Sequence, residues 1–427
     1  MANRRRGVDG SRRAFLQRSA RGAGLFLVGG TLWHCGGDDG GTTGAGGSGG
    51  TGTGGTGGQG GMAGMGGAGG AAPTTSNIAN LGPLGDPDAN GVRLPAGFTS
   101  RIVAASGQPV ENSAYTWHAA PDGGAVFPTE DGGWIYVSNA ELSGGGGGVG
   151  AIRFSAEGEI VDAYSILQGT NRNCAGGPTP WGTWLSCEEV SSGEVFECDP
   201  FGVEAGVVRP ALGVCSHEAV AVDPVHEMLY LTEDVSDGRL YRFVPDAYPD
   251  LTSGTLEAMQ VVSGEVGATT WLPVPDPSAA NTPMRDQVPE STAFAGGEGI
   301  WYHEGVIYFS TKGDDRVWAL ETTSGDLSIV YDVATSPMPI LTGVDNVVVS
   351  AGGDVLVAED GGDLQIVALT PDGQVLPVIQ LVGHDGSEIT GPAFDPSRQR
   401  LYFSSQRGTE GSSSAGITFE VTGPFFV

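Results

Sequence analysis

A short pattern recurring at near-constant spacing limits what this chain can fold into more than any other feature. An apolar run ends in a polar or acidic pair, turns, and is followed by a second run that closes in a DPxG- or TPDG-like turn. The pairs fall near Asn139, Glu188, Glu233, Thr311, Glu359 and Ser405, at spacings of 49, 45, 78, 48 and 46 residues. The runs themselves, such as WIYVSN, MLYLTED, RLYRFVPD, VIYFSTKGD, RVWALETT and LQIVALTPDG, are rich in β-branched and aromatic residues, and long helical periodicity is almost absent. Several short strands per period of about 40–50 residues are the signature of a propeller. The expectation is an all-β chain folded as a six-bladed β-propeller. The 78-residue gap holds a Pro- and Ser-rich stretch, about 245–290, expected as an insertion between blades three and four. The propeller domain is expected over 78–427; propellers grow by adding blades and escape the usual limit on single-core size.

What precedes the repeats is of another kind. Residues 1–35 open with seven Arg, include SRRAFLQ (Ser11–Gln17), and continue into an apolar stretch from Ala23 to Trp33. This reads as a twin-arginine export signal, with an apolar core too short to span a bilayer. The expected address is therefore the periplasm, cell surface or extracellular space, reached through the twin-arginine export machinery, with no transmembrane helix in the mature chain. Cys35 in TLWHCGG is a candidate lipid-anchor site, although His34 stands where a small residue is usual. From Gly36 to Ala72, 21 of 37 residues are Gly. A segment of that composition cannot bury enough surface to fold, and 36–77 is expected to be a disordered linker with a reach of roughly 30–35 Å.

The net charge is −30; beyond residue 74 there are 13 basic and 47 acidic residues, giving 13 − 47 = −34. That balance argues strongly against nucleic acid and anionic membrane as partners; the chain is expected to be a monomer. It also calls for counter-charge. In a propeller, equivalent positions of different blades converge on one axis, so repeated acidic positions become a ring of carboxylates that repel unless protonated or paired. The candidates are Asn139 and Glu141, Glu188 and Glu189, His217 and Glu218, Glu233 and Asp234, Glu298, Asp345 and Asn346, and Glu359 and Asp360. Hard cations are the natural counter-charge where Arg and Lys are scarce. Calcium accepts many oxygens; iron would accept carboxylates plus a thiolate such as that of Cys174. Four cysteines lie beyond the leader, and Cys187–Cys198 is the favoured pair for a disulfide. His217 is expected to orient a ligand, Trp181 and Trp184 to belong to the core, and Arg239 or Arg407 to be a possible anion clamp.

The most specific segment is CAGGPTPWGTWLSCEE (Cys174–Glu189); with SHEAVAVDP, YLTED followed by GRLYRFVP, and GGEGIWY, it gives an ordered set of motifs. Together they resemble the PhoX-type alkaline phosphatases, over most of residues 95–408. The resemblance implies a six-bladed, secreted propeller holding iron and calcium in its channel and hydrolysing small phosphate monoesters. It implies Cys174, Glu218 and Glu298 as iron ligands, and Glu188, Glu189, Asp345, Glu359 and Asp360 as calcium ligands. Glu233 and Asp234 join the metal set by their place in the repeat; Glu298 and Arg407 are the expected catalytic residues. The family carries an Arg shortly before the Glu of GGEG, where this chain has Ala295-Gly296-Gly297; Arg316 or Arg407 is the candidate substitute. Two further readings fit the residues: a noncatalytic, calcium-stabilised surface propeller that binds a ligand or partner, and a calcium-dependent lactonase.

Overall fold

The computed structural model describes residues 73–427, so the export signal, Cys35 and nearly all of the Gly-rich linker lie outside the described residues. The described chain is nearly all β, as expected of a propeller. Its strands pair antiparallel in sheets of five, thirteen, four and four strands, within which six four-stranded runs, each led by one innermost strand, are numbered as blades one to six. The innermost strands are Pro121–Pro128, Asn173–Pro178, Cys215–Asp223, Gly297–His303, Val344–Val349 and Ile389–Phe394. Each packs against the innermost strand of the next blade, and the sixth packs against the first, which closes a ring. The final blade is completed by a strand from the other end of the chain: Thr99–Ala105 pairs with Ile417–Thr422. Ser76 bridges to Phe426, and Ile78 is fully buried.

Six apolar cores hold the ring, one between each pair of neighbouring blades. The strands read as alternating because one face of each blade serves one core and the other face the next. Cys187 and Cys198 show the consequence. Both are buried, but Cys187 packs into the core between blades two and three and Cys198 into that between blades one and two. They lie on opposite faces of one sheet, so the expected disulfide does not form; Cys174, Cys187, Cys198 and Cys215 are all free thiols. The segment expected as an insertion also differs. Asp250–Val261 is the fourth strand of blade three, and Gly267–Pro273 extends that sheet to pair with Asp326 and Leu327 of blade four. What is added to the repeat is thus the stretch after 261, with a single turn of helix at Met284–Gln287.

The innermost strands share one irregularity. Register shifts occur at Asp122-Gly123, Cys174-Ala175, Glu218-Ala219, Glu298-Gly299, Asp345-Asn346 and Gly391-Pro392, the same place in every blade. A bulge bends the strand and re-aims a side chain, here toward the axis. Beside the bulges the strands approach closely. A Cβ on Gly177 would lie 1.7 Å from the Val220 carbonyl oxygen, and one on Gly299 would lie 2.3 Å from the Val347 nitrogen. Gly124, Gly176, Gly299 and Gly391 line what remains of the axis there, a cavity of only about 30 Å³, room for about one water. The axis is therefore narrow beneath the bulges. Gly177→Ala should destabilise by about 1–3 kcal/mol or more through overpacking. Gly82→Ala, where a Cβ meets nothing within 4 Å, should change stability little; urea unfolding of the two alanine variants checks the contrast.

Candidate metal centre

Two tiers of side chains meet above this constriction. The first comes from the bulges: Asp122, Cys174, Glu218, Glu298 and Asp345, with Gly391 leaving the sixth place without a side chain. The second comes from the neighbouring strand of each blade, where Glu141, Glu189, Asp234, Lys312, Asp360 and Gln406 stand at one equivalent position. Each donates its backbone N–H to the inner strand, to the carbonyls of Ala120, Arg172, Ser216, Gly296, Gly343 and Glu388 respectively, at 2.8–3.1 Å. Glu388, just before the innermost strand of blade six, fills the space left beside Gly391.

Strand alternation divides the acidic pairs. Successive side chains point to opposite sides of a strand, so only one member of each pair can face the axis. Glu189, Asp234 and Asp360 do. Their predecessors are engaged elsewhere, Glu188 and Glu359 by backbone and Glu233 by side chains. The Glu188 oxygens accept from the N–H of Asn171 at 2.7 Å and of Glu194 at 3.2 Å; those of Glu359 accept from Thr342 at 3.0 Å and Gln365 at 2.9 Å. Glu233 accepts from the Tyr241 hydroxyl at 2.8 Å and pairs with Arg285 at 2.9 Å. The structure thus keeps Glu188, Glu233 and Glu359 out of the axial clusters. Asn139 is likewise structural, donating to the Cys174 and Ala175 carbonyls and accepting from Trp184 at 2.9 Å. His217, fully buried, contacts the Gly213 carbonyl at 3.0 Å and the Cys215 thiol. Arg239 is tied to Ser291 and to the carbonyls of Asp237 and Gly238. Arg316 pairs with Glu265, Asp314 and Asp332 at the blade's outer strands, not at the axis.

Four groups of donors have ligand atoms within 4.8 Å of one another: Cys174, Glu189 and Glu218; Asp122, Glu141 and Glu388; Glu218, Glu298 and Asp345; and Asp345, Asp360 and Glu388. Both Glu218 oxygens and Glu298 Oε1 are buried without a hydrogen-bond partner. Such orphaned carboxylate oxygens are costly, and their donor set fits a cation. Burial, reinforced by neighbouring carboxylates, pushes Asp122, Glu218, Glu298 and Glu388 well above the usual carboxylate range and the Cys174 thiol up as well. Glu189 is pushed up to about 8 and Asp345 to about 6, mainly by burial. Three cations stand among the acids. Arg172 binds Glu141 at 2.8 Å and Glu189 at 2.6 Å, Arg407 binds Glu388 at 2.9 Å, and Lys312 reaches Glu298, Asp345 and Asp360. Arg172 holds this place with a backbone φ of 46°, an uncommon conformation for a residue with a Cβ. Gly296, where an Arg was sought, has φ 71°, and a Cβ there would lie 3.1 Å from Asp234 Oδ1. The position suits Gly and resists a longer side chain. Sequence reasoning missed Asp122, Glu388, Lys312 and Arg172. Asp122 sits in PDGG and reads as a turn; its only signal is its place one strand before Asn139.

Fold and site together define a propeller-type protein with a cation-demanding acidic cluster on its axis. The family model described as alkaline phosphatase PhoX matches residues 135–318, so the resemblance to PhoX-type phosphatases holds for that segment. The structure of Pseudomonas fluorescens PhoX in complex with vanadate, a transition state analogue, superposes with a TM-score of 0.67 at 16% identity, covering 82% of this chain and 98% of that one. A gluconolactonase from Xanthomonas campestris matches at a TM-score of 0.47 and 15% identity, over 83% of this chain and 95% of that one. No curated protein matches the chain by sequence. Among the described residues, no helix is long and apolar enough to cross a membrane.

Two outcomes follow. Carboxyls raised in the fold favour their neutral form, so they stabilise the metal-free protein at low pH and cease to do so as pH climbs through their folded values. The melting temperature of metal-free protein should fall as pH rises from about 5 to about 8.5, the window of Asp345 and Glu189, and added calcium should reverse the fall. Separately, Glu188→Ala should lose about 1–3 kcal/mol whether or not metal is present, because two backbone donors lose their partner. Glu189→Ala should instead weaken metal retention, as read by elemental analysis.

Proposed function

We propose that this chain is an exported, metal-dependent phosphatase acting on small phosphate monoesters. The observation that carries the reading is the pair of partnerless Glu218 oxygens beside Cys174 and Glu189, in a segment matching the PhoX family model. Cys174, Glu189 and Glu218 would hold iron, since a thiolate among carboxylates suits a transition metal better than calcium. Asp122, Glu141 and Glu388, all oxygen donors, would hold calcium. When bound, these ions supply Lewis-acid polarisation of the phosphate.

The chain's own residues supply the remainder. Arg407 and Arg172, side chains 32% and 39% exposed above the cluster, present guanidinium N–H groups to phosphate oxygens entering from the open end. They stand in for the absent Arg near Gly296. Glu298, with Oε1 unengaged in any hydrogen bond, orients the attacking oxygen. Water adds to phosphorus as the ester P–O bond breaks, a proton of that water passes to the leaving alkoxide, and the alcohol departs through the same opening. Export by the twin-arginine route, with 1–35 as signal and 36–77 as tether, would deliver the protein folded. The missing Arg keeps one other reading in view, a noncatalytic calcium-stabilised propeller that binds a ligand.

Reconstituted protein assayed with p-nitrophenyl phosphate distinguishes them. Turnover should be abolished by EDTA, and chelation should lower the melting temperature; an ion at 100 times its dissociation constant stabilises by about 2.7 kcal/mol. Glu298→Gln should cost about 10²–10³-fold in kcat, and Arg407→Ala about 10–100-fold in kcat/KM, chiefly through KM. Metal-loaded protein without turnover on any phosphomonoester would favour the binding propeller.

A further inference from the structure

Lys312 is the one lysine in the chain, and it stands at a position that carries acid in most blades. Its counterparts by backbone hydrogen bonding are Glu141, Glu189, Asp234, Asp360 and Gln406. Its Nζ lies 3.0 Å from Asp360 Oδ2, 3.3 Å from Glu298 Oε1 and 3.6 Å from Asp345 Oδ2. These partners come from two different bulges and from the second tier of blade five, so the ammonium joins blades four and five at the axis. Three carboxylates around one centre are the surroundings a hard cation seeks. The ammonium already supplies that charge, and it does so without a complete set of hydrogen bonds, since Glu298 Oε1 is in ion-pair contact but not hydrogen-bonded. A divalent ion in the same corner would face a fixed positive charge at contact distance.

We propose that Lys312 is a tethered counter-ion, taking the Glu298–Asp345–Asp360 corner in place of a metal ion and confining metal to the corners built on Cys174, Glu189 and Glu218 and on Asp122, Glu141 and Glu388. This rests on the metal-dependent reading above and adds where metal does not go. Both remaining donor groups that share these partners, Glu218–Glu298–Asp345 and Asp345–Asp360–Glu388, pass through Asp345 and so fall within reach of the ammonium. The ring then carries its charge compensation partly as exchangeable ions and partly as a side chain that chelators do not remove.

Elemental analysis of protein reconstituted with calcium and iron, then desalted, tests this. Lys312→Gln should retain one more calcium per chain than wild type, and Lys312→Arg, which keeps the charge, should match wild type. Equal metal content in wild type and Lys312→Gln overturns the proposal while leaving the metal-dependent reading intact; no metal in either protein overturns both. Wild type alone provides a second measurement that does not depend on a variant folding. With a single lysine, an amine-acylating reagent marks Lys312 as the only side-chain amine, read by peptide mass spectrometry. Its labelling rate should be unchanged within about two-fold between calcium-loaded and EDTA-treated protein. A rise of about ten-fold or more on loading calcium would mean that ions displace the amine from its carboxylates, and would overturn the proposal.

Discussion

Mutual repulsion among carboxylates brought to one axis is the constraint around which this structure is arranged. A ring of blades multiplies whatever stands at its inner edge, and here the inner edge is acid: Asp122, Glu218, Glu298, Asp345 and Glu388 are all buried. Buried like charges cannot remain ionised without compensation. The protein answers in several ways at once. Arg172 and Arg407 cover the open side, Lys312 enters from blade four, and Gln406 donates to Asp122 at 2.5 Å and Glu141 at 2.9 Å. The partnerless oxygens of Glu218 remain as the part of the charge that the chain does not neutralise itself.

The bulges explain how an ordinary antiparallel blade holds such a site. A regular innermost strand would send alternate side chains into the two flanking cores. Displacing one residue per blade aims it at the axis, while its small successor, Gly123, Ala175, Ala219 or Gly299, lets the next blade close in. Site and floor are therefore made by the same two-residue step. The aromatic and aliphatic cores between blades flank the bulges on both sides.

Much of this could be read from sequence. The spacing of Asn139, Glu188, Glu233, Thr311, Glu359 and Ser405 locates the second strand of every blade, and Cys174, Glu189, Glu218, Glu298, Asp345 and Asp360 do converge. Spacing alone cannot say which member of an acidic pair faces inward, because that depends on strand register; hence Glu188 and Glu359 cap backbone and Glu233 is held by Tyr241 and Arg285. Asp122 stays hidden in a stretch that resembles a turn, since a bulge has no residue signature beyond a small neighbour, and Glu388 stands outside the repeat's acidic pairs, just before its strand. Lys312 escapes a search for acids because it breaks the repeat. The cysteines mislead for a related reason: nearness along adjacent strands says nothing about which face each thiol occupies.

The strand Thr99–Ala105, which completes the last blade beside Ile417–Thr422, ties together residues more than three hundred positions apart in sequence. Until the end of the chain has been made, that strand has no partner, and blade six lacks its outer edge. An unpaired edge is a template for pairing with another chain, and long-range strand pairing is slow to form. Nascent or truncated copies would thus expose a ready joining surface at each end, and a second molecule could donate its early strand to the first. Closure of the ring therefore waits on the strand Ile417–Thr422, whatever the stability of any single blade.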